Sequence, residues 1–361
     1  MDRCHKHVWC SLVCALLSSA SQAWTAVESP EGKLELTGNL QFDSGRIALD
    51  GAGAEEHFGW RRRRLGFDWT RGKQFELAFE YDFAAHAVTD AWLKWKTASG
   101  WWQFGQFKQP FVLDELNSDK RTLLLEPGLP HAFAISRRLA VGWLWNPGAF
   151  GLQLNGFGRN LDGTPSSNGG AARTWWTPQH ADERTLHLGL ALSHEDVADG
   201  GLALNVRPES RLTALRAART PRLADTDSLR RLGLEALWLD GPWYGQAELV
   251  ALDARRTSTV DYAAFGWYAQ LGRSFGPGRR HYKHGTIQSI DRCGTLELGL
   301  RAASVDLDDG AVQGGRAHTL AFGATWYLQP ETRLMTNIVD VRRRDPGADF
   351  QVLEMRVQVV F

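Results

Sequence analysis

Val352-Leu-Glu-Met-Arg-Val-Gln-Val-Val-Phe361 closes the chain. In an extended strand successive side chains point to opposite faces. Leu353, Met355, Val357, Val359 and Phe361 therefore share one face, and Glu354, Arg356 and Gln358 share the other. A soluble sheet would bury the first face and wet the second. A membrane barrel turns the apolar face to lipid and the polar face to an aqueous lumen, with strands of about 10 residues. The chain stops on the apolar side with an aromatic residue, which suits the barrel. One strand does not decide the fold, so recurrence has to.

The pattern recurs. Phe75, Leu77, Phe79, Tyr81 and Phe83 alternate with Glu76, Ala78, Glu80 and Asp82. Leu186, Leu188, Leu190 and Leu192 alternate with His187, Gly189, Ala191 and Ser193. Strands are expected near 33–43, 57–69, 73–83, 88–97, 101–107, 136–146, 149–159, 184–194, 200–207, 229–239, 243–253, 261–272, 294–304, 316–328, 331–341 and 350–361. That makes an all-β chain forming a transmembrane antiparallel β-barrel of about 16 strands, an even number as single-chain bacterial barrels have. With both ends in the periplasm the long connections 44–56, 108–135, 160–183, 208–228, 305–315 and 342–349 all fall outside the cell. The exception is 273–293, long and basic on the periplasmic side. A soluble sandwich would need its apolar faces stacked on a second sheet.

Residues 1–23 read as a secretory signal: Arg3, His5 and Lys6, then apolar Val8 to Leu17, then Ser21-Gln22-Ala23 at the cleavage positions. Residues 24–361 are then the barrel domain, with only Cys293 remaining, so no intramolecular disulfide and no cysteine metal site is expected. No segment carries the 18 consecutive apolar residues of a spanning helix. The mature chain keeps 39 basic and 40 acidic residues, which argues against nucleic acid as a partner. Its basic residues are mostly arginine, 33 against 8 lysines in the whole chain. Arginine keeps its charge when desolvated and offers oxyanions a planar fork. Many of the 16 Trp fall near strand ends, where barrels place interfacial girdles.

Alternation sorts the charges. Where Leu65, Phe67 and Trp69 face lipid, Arg62, Arg64 and Asp68 face the lumen; Arg138, Arg159, Arg231, Arg301 and Arg356 point inward likewise. Arg61, Arg63 and Arg137 have the wrong parity and are expected at an interface or at a bulge that flips the register. Each inward arginine can pair with an inward Glu76, Glu80, Asp82, Glu235, Glu248, Glu297 or Glu354. A vertical set of them would instead make a path for anions. The loop 108–135 joins Lys108, Lys120 and Arg121 to apolar Leu123–Leu125. Such a loop is expected to fold inward against the wall and form the constriction; the alternative is a surface loop over the mouth.

Gly105-Gln-Phe-Lys-Gln-Pro-Phe111 resembles the GQFKQPFG-type motif of the phosphate-selective porin O/P family. Arg63-Arg-Leu-Gly66, Glu80-Tyr-Asp-Phe83, Ala132-Phe-Ala-Ile-Ser-Arg-Arg-Leu139, Leu296-Glu-Leu-Gly-Leu-Arg301 and Trp326-Tyr-Leu-Gln-Pro330 match in order. The resemblance covers essentially the whole mature chain. It implies a trimeric outer-membrane porin of a Gram-negative bacterium, passing anions, phosphate among them, by diffusion and without cofactors. It also implies an arginine ladder at Arg62, Arg64 and Arg138, with Arg219, Arg222, Arg230 and Arg231 around the fifth loop, and Lys108 and Lys120 at the constriction. Arg279-Arg-His-Tyr-Lys283 resembles the family's periplasmic segment that folds toward the pore. As departures, the third loop also carries Asp114, Glu115 and Asp119, and no N-terminal coiled coil precedes the barrel. Outer-membrane lipids, two further copies of the chain and, through Phe361, the outer-membrane assembly machinery are the other expected partners.

Other functions stay open on the sequence alone. An enzymatic barrel would need a serine or cysteine beside a histidine; His187 or His194 with Ser193 are the only close pairs, and no G-x-S-x-G or H-E-x-x-H is present. A general solute channel and a plugged barrel without conductance are further alternatives.

Overall fold

Residues rich in β-branched and aromatic side chains at period two form strands, and twenty-one are present in the computed structural model. It describes residues 24–50, 53–163, 167–181, 183–197, 201–290, 292–329, 331–344 and 349–361; the expected signal segment 1–23 lies outside them. In chain order they are β1 Trp24–Ser29, β2 Gly32–Leu49, β3 Gly53–Arg71, β4 Phe75–Asp82, β5 Ala87–Thr97, β6 Gly100–Lys108, β7 Arg137–Trp145, β8 Phe150–Phe157, β9 Asn168–Ala181 and β10 Arg184–Asp196. Then come β11 Asn205–Val206, β12 Ala218–Arg219, β13 Thr226–Asp240, β14 Trp243–Arg256, β15 Tyr262–Phe275, β16 Tyr282–Lys283 and β17 Thr286–Ile287. The last four are β18 Thr295–Asp309, β19 Val312–Tyr327, β20 Thr332–Arg344 and β21 Phe350–Val360.

Sixteen of these, β2–β10, β13–β15 and β18–β21, pair antiparallel with both neighbours and close into a barrel. The seam joins first to last, with Asn39 to Leu49 of β2 against Val360 to Phe350 of β21. Below it β1 pairs with Gly32–Leu36 along the same edge of β2, so β1 continues the position of β21. Gly38 N–H donates to the Phe361 carbonyl at 2.7 Å, and the Phe361 ring occupies the space a Cβ at 38 would need.

The expected strand number is right, but two assignments exchange places. Residues 168–181, read as loop, form β9. Its outward positions Gly170, Ala172 and Thr174 are too small to give the apolar alternation that marks a lipid face. Of residues 200–207, read as a barrel strand, the described 201–207 belong to the loop 197–225; there, among the described residues, Asn205 and Val206 pair only with β12.

Outward side chains are exposed and apolar, as lipid requires: Leu65, Leu190, Leu232, Phe322 and Met355 all lie on that face. Aromatic pairs cover part of it, among them Phe42–Trp60 and Phe67–Phe79. Inside, one half of the lumen is filled by an apolar core. Phe111, Leu113, Leu123, Leu124, Leu129 and Phe133 of the loop 109–136 pack on Val250, Leu252, Tyr268, Ala303 and Ala321 of the wall. Three glycines make the seat. Gly272 pairs with Gly299, and Gly299 with Gly323, so a glycine groove crosses β15, β18 and β19. Leu123 fills the space over the first two and Leu124 over the third.

Candidate permeation path

The loop 109–136 leaves β6, crosses the lumen and returns to β7, and it is fixed on both walls. On one side the Glu248 carboxylate of β14 accepts the backbone N–H groups of Leu113 at 2.5 Å and Asp114 at 2.8 Å. These begin the single helical turn Leu113–Leu116, and a carboxylate there satisfies N–H groups the turn leaves unpaired. Asn117 Nδ2 donates to Gln246 Oε1 at 3.0 Å. Further along, Arg301 Nη1 donates to the Glu126 carbonyl at 2.8 Å and Thr325 Oγ1 to the Leu123 carbonyl at 3.0 Å.

On the opposite wall two loop carboxylates meet a block of arginines. Asp119 lies 2.7 Å from Arg62 Nε and 2.9 Å from Arg64 Nη1. Glu126 takes Arg61 Nε at 2.6 Å and Arg356 Nη2 at 2.7 Å, and Arg356 also holds both oxygens of Asp43. Burial alone would raise both loop carboxyls. Arg62 and Arg64 instead hold Asp119, and Arg61 and Arg356 hold Glu126, well below the usual carboxylate range. Adjacent inward residues 61 and 62 break strand alternation, and a bulge explains them: β2 pairs Gln41 with Arg62 but Phe42 with Trp60. Arg61 is the extra residue. Arg63 points outward and donates to the Phe83 carbonyl at 2.9 Å. A second irregularity, where Glu80 faces Asp90 but Tyr81 faces Val88, leaves Asp90 on the lumenal side, bonded to Arg137 at 2.9 Å.

The segment 276–294, from the opposite rim, reaches the same loop. Arg280 binds Glu297 through two bonds of 2.6 and 2.7 Å and donates to the Arg121 carbonyl at 2.6 Å. Arg121 in turn donates to Gln288. Thus the basic stretch singled out in the sequence folds inward and braces the loop.

Two cavities remain beside the crossing loop. The larger, about 290 Å³, lies against β2–β7 and is lined by Arg64, Lys108, Lys120, Arg121 and Arg137 together with Asp68, Glu80, Asp90 and Asp119, and by the Trp92 ring. The smaller, about 100 Å³, is lined by Glu126, His131, Arg207, Glu209 and Arg211 on the side of the loop 197–225. Arg211 is pushed down to about 10 by burial and then by Arg61, and Arg207 is lowered by burial and then by Arg216 and Arg61. Positive charge is crowded there.

The structure sorts the residues expected in the lumen. Arg62, Arg64, Arg138, Arg231 and Arg301 are buried and face inward. Arg138 and Arg231 share Glu195 at 3.0 and 2.8 Å, away from the larger cavity. Arg301 is enclosed by Gln270, Glu209 and the Tyr268 ring. Arg230 does not face the lumen: its neighbour Arg231 takes the inward position, so alternation turns Arg230 to the outer face. Arg219 and Arg222 are exposed on the loop 197–225 and line neither cavity. Lys108 ends β6 with its ammonium tied to the Glu115 and Asn117 carbonyls at 2.5 and 3.2 Å, so it braces the crossing loop as well as lining the larger cavity. Lys120 lies 4.0 Å from Glu80 and faces the cavity. Sequence reading missed Glu126 and Arg211, both loop residues that no periodicity places. Among the described residues no group of three or more His, Cys, Asp or Glu could hold a metal.

A closed sixteen-strand barrel with an apolar belt and an inward loop that narrows a polar lumen defines an outer-membrane porin. The family model for phosphate-selective porin O and P matches residues 34–361, and the chain belongs to that family. An uncharacterized protein of Caulobacter vibrioides is 26% identical over 340 residues, covering 86% of this chain and 68% of the relative. The fold is similar to that of OmpT, an outer membrane protein of Vibrio cholerae, with TM-score 0.63, 10% identity, and 94% of this chain and 100% of that one covered. It is also similar to an anion-selective porin from Comamonas acidovorans, with TM-score 0.60, 14% identity, and coverage of 92% and 100%. The outer membrane channel DcaP of Acinetobacter baumannii superposes with TM-score 0.59, 12% identity, and coverage of 93% and 100%. The chain is thus a porin channel of the Gram-negative outer membrane.

Proposed function

We propose that this porin passes small inorganic anions, phosphate included, along the side of the lumen bounded by β2–β7. The observation that carries the reading is surplus positive charge beside both cavities. Arg207 makes no hydrogen bond or ion pair among the described residues, and Arg211 only a 3.7 Å contact to a Glu126 already held by Arg61 and Arg356. In the larger cavity Lys120 and Arg121 line the wall with no short ion pair, Arg121 being held only by the neutral amide of Gln288. Rows of such cations, each binding weakly, suit anion conduction, because an anion must enter and leave. On the other side the crossing loop packs into the buried apolar core. Fold and family favour a channel over an enzyme.

Assembly as a homotrimer fits the trimer form of OmpT from Vibrio cholerae. Secretion through a cleaved segment 1–23, and recognition of Phe361 by the outer-membrane assembly machinery, complete the reading. Reversal potential in a planar bilayer under a potassium chloride gradient tests it. A chloride-selective potential supports it; a potassium-selective one overturns it.

A further inference from the structure

The lining of the larger cavity is not uniformly positive, and the residues left over after internal pairing form a dipole. Arg64 is taken by Asp82, Glu80 and Asp119; Arg137 by Asp90; Lys108 by two backbone carbonyls. On the loop side that leaves Lys120, 4.0 Å from Glu80, and Arg121, whose bond is to the neutral amide of Gln288. On the wall it leaves Asp68 of β3, exposed to the cavity, with no hydrogen bond or ion pair among the described residues. Asp68 pairs in register with Ala78 and Glu35, neither of them a cation. Trp92 adds a flat apolar surface, with Lys94 Nζ 4.5 Å from its ring centre.

A bare oxyanion drawn to Lys120 and Arg121 meets Asp68 as a like charge. A molecule with an anionic group at one end and an ammonium at the other satisfies both sides. The volume of about 290 Å³ is the liquid-state share of roughly ten waters, ample for such a molecule lying against Trp92. We propose that the cavity is a binding site for small zwitterionic organic anions, a carboxylate or phosphate held by Lys120 and Arg121 and an ammonium held by Asp68. The proposal rests on the anion-channel reading and narrows its substrate class.

The probes are 2-aminoethyl phosphate and ethyl phosphate, which share the oxyanion and differ in the ammonium. Each is titrated against single-channel chloride current through the full-length porin, wild type and Asp68→Asn, with folded migration on unheated gels checked first. The expected result is block by 2-aminoethyl phosphate at a concentration about fivefold lower than by ethyl phosphate, the size of one water-screened ion pair. Asp68→Asn should remove that difference, and Lys120→Ala should weaken both blockers. Equal block of the wild type by the two probes, or no block by either, overturns the zwitterion site while chloride selectivity leaves the anion channel standing. A difference that survives Asp68→Asn overturns the assignment to Asp68. Cation selectivity of the unblocked channel would remove the underlying reading itself.

Discussion

Leu123 of the crossing loop rests on Gly299 of β18, and a Cβ at position 299 would overlap its isobutyl group. Glycine at 299, with Gly272 and Gly323 on either side, is therefore what lets the loop lie flat on the wall. Gly299→Val should displace Leu123 and cost about 1–3 kcal/mol, the usual penalty of overpacking. The loop would move toward β2–β7, and single-channel conductance should fall. An unchanged conductance would mean the loop does not border the path.

The Asp43–Arg356 pair joins the two strands of the barrel seam and also holds Glu126, with every partner nearly fully buried. Removing one member of a buried pair leaves the others uncompensated. Arg356→Ala should thus destabilise the barrel by about 3 kcal/mol or more. The temperature at which the folded band is lost on gels reads this out, and Arg342→Ala, on an exposed pair, should leave it in place.

Lys108 and Lys120 should behave differently when removed. Lys120→Ala deletes a charge facing the cavity and should lower the chloride-to-potassium permeability ratio by at most about fivefold, the worth of one charge at 4 Å in water. Lys108→Ala deletes a brace between β6 and the helical turn, so it should also add current noise as the loop loosens. Arg343→Ala, outside both cavities, should change neither reading.

Acid should leave the Asp119 and Glu126 side of the crossing loop in place over a wide range. Asp119 and Glu126 are held well below their ordinary values by Arg62, Arg64, Arg61 and Arg356 against the opposing effect of burial. Carboxyls lowered on folding add stability that is complete above the unfolded value and is lost as pH falls through the folded one. The clamp is then complete above the ordinary carboxyl value of about 4 and fails only below it. In a Glu248→Gln variant, which removes the carboxyl anchoring the loop on the other wall, conductance measured from pH 7 to about 5 should show no loop-driven step; a step in that window would contradict the clamp.

Much of this is legible in the sequence alone. The alternation seen in Leu353 to Phe361 and Phe75 to Phe83 gives the class, because a lipid face must be apolar along its length, while the count of sixteen holds because one missed strand and one false one offset each other. Alternation failed at β9, where Gly170 and Ala172 meet lipid with almost no side chain. Parity puts Arg62 and Arg64 on the inner face, where they lie buried, but gives Arg159 the same direction, and that residue is exposed beyond the end of β8. Arg61 and Arg62 together were ambiguous, since a run of four arginines gives no sign of which one is bulged. The clamp made by Glu126 was not legible at all. Its partners Arg61 and Arg356 lie 65 and 230 residues away, and only closure of the barrel brings them together.

The most direct test of the path and its sign is chemical modification at Thr37, which lines the larger cavity from β2, in a Cys293→Ser background. Current through Thr37→Cys should be blocked by thiosulfonate reagents, with the anionic reagent reacting faster than the cationic one. Ala303→Cys, under the apolar core on the far wall, should be unaffected. Faster reaction with the cationic reagent, or block at position 303 and not at 37, would contradict an anion route along β2–β7.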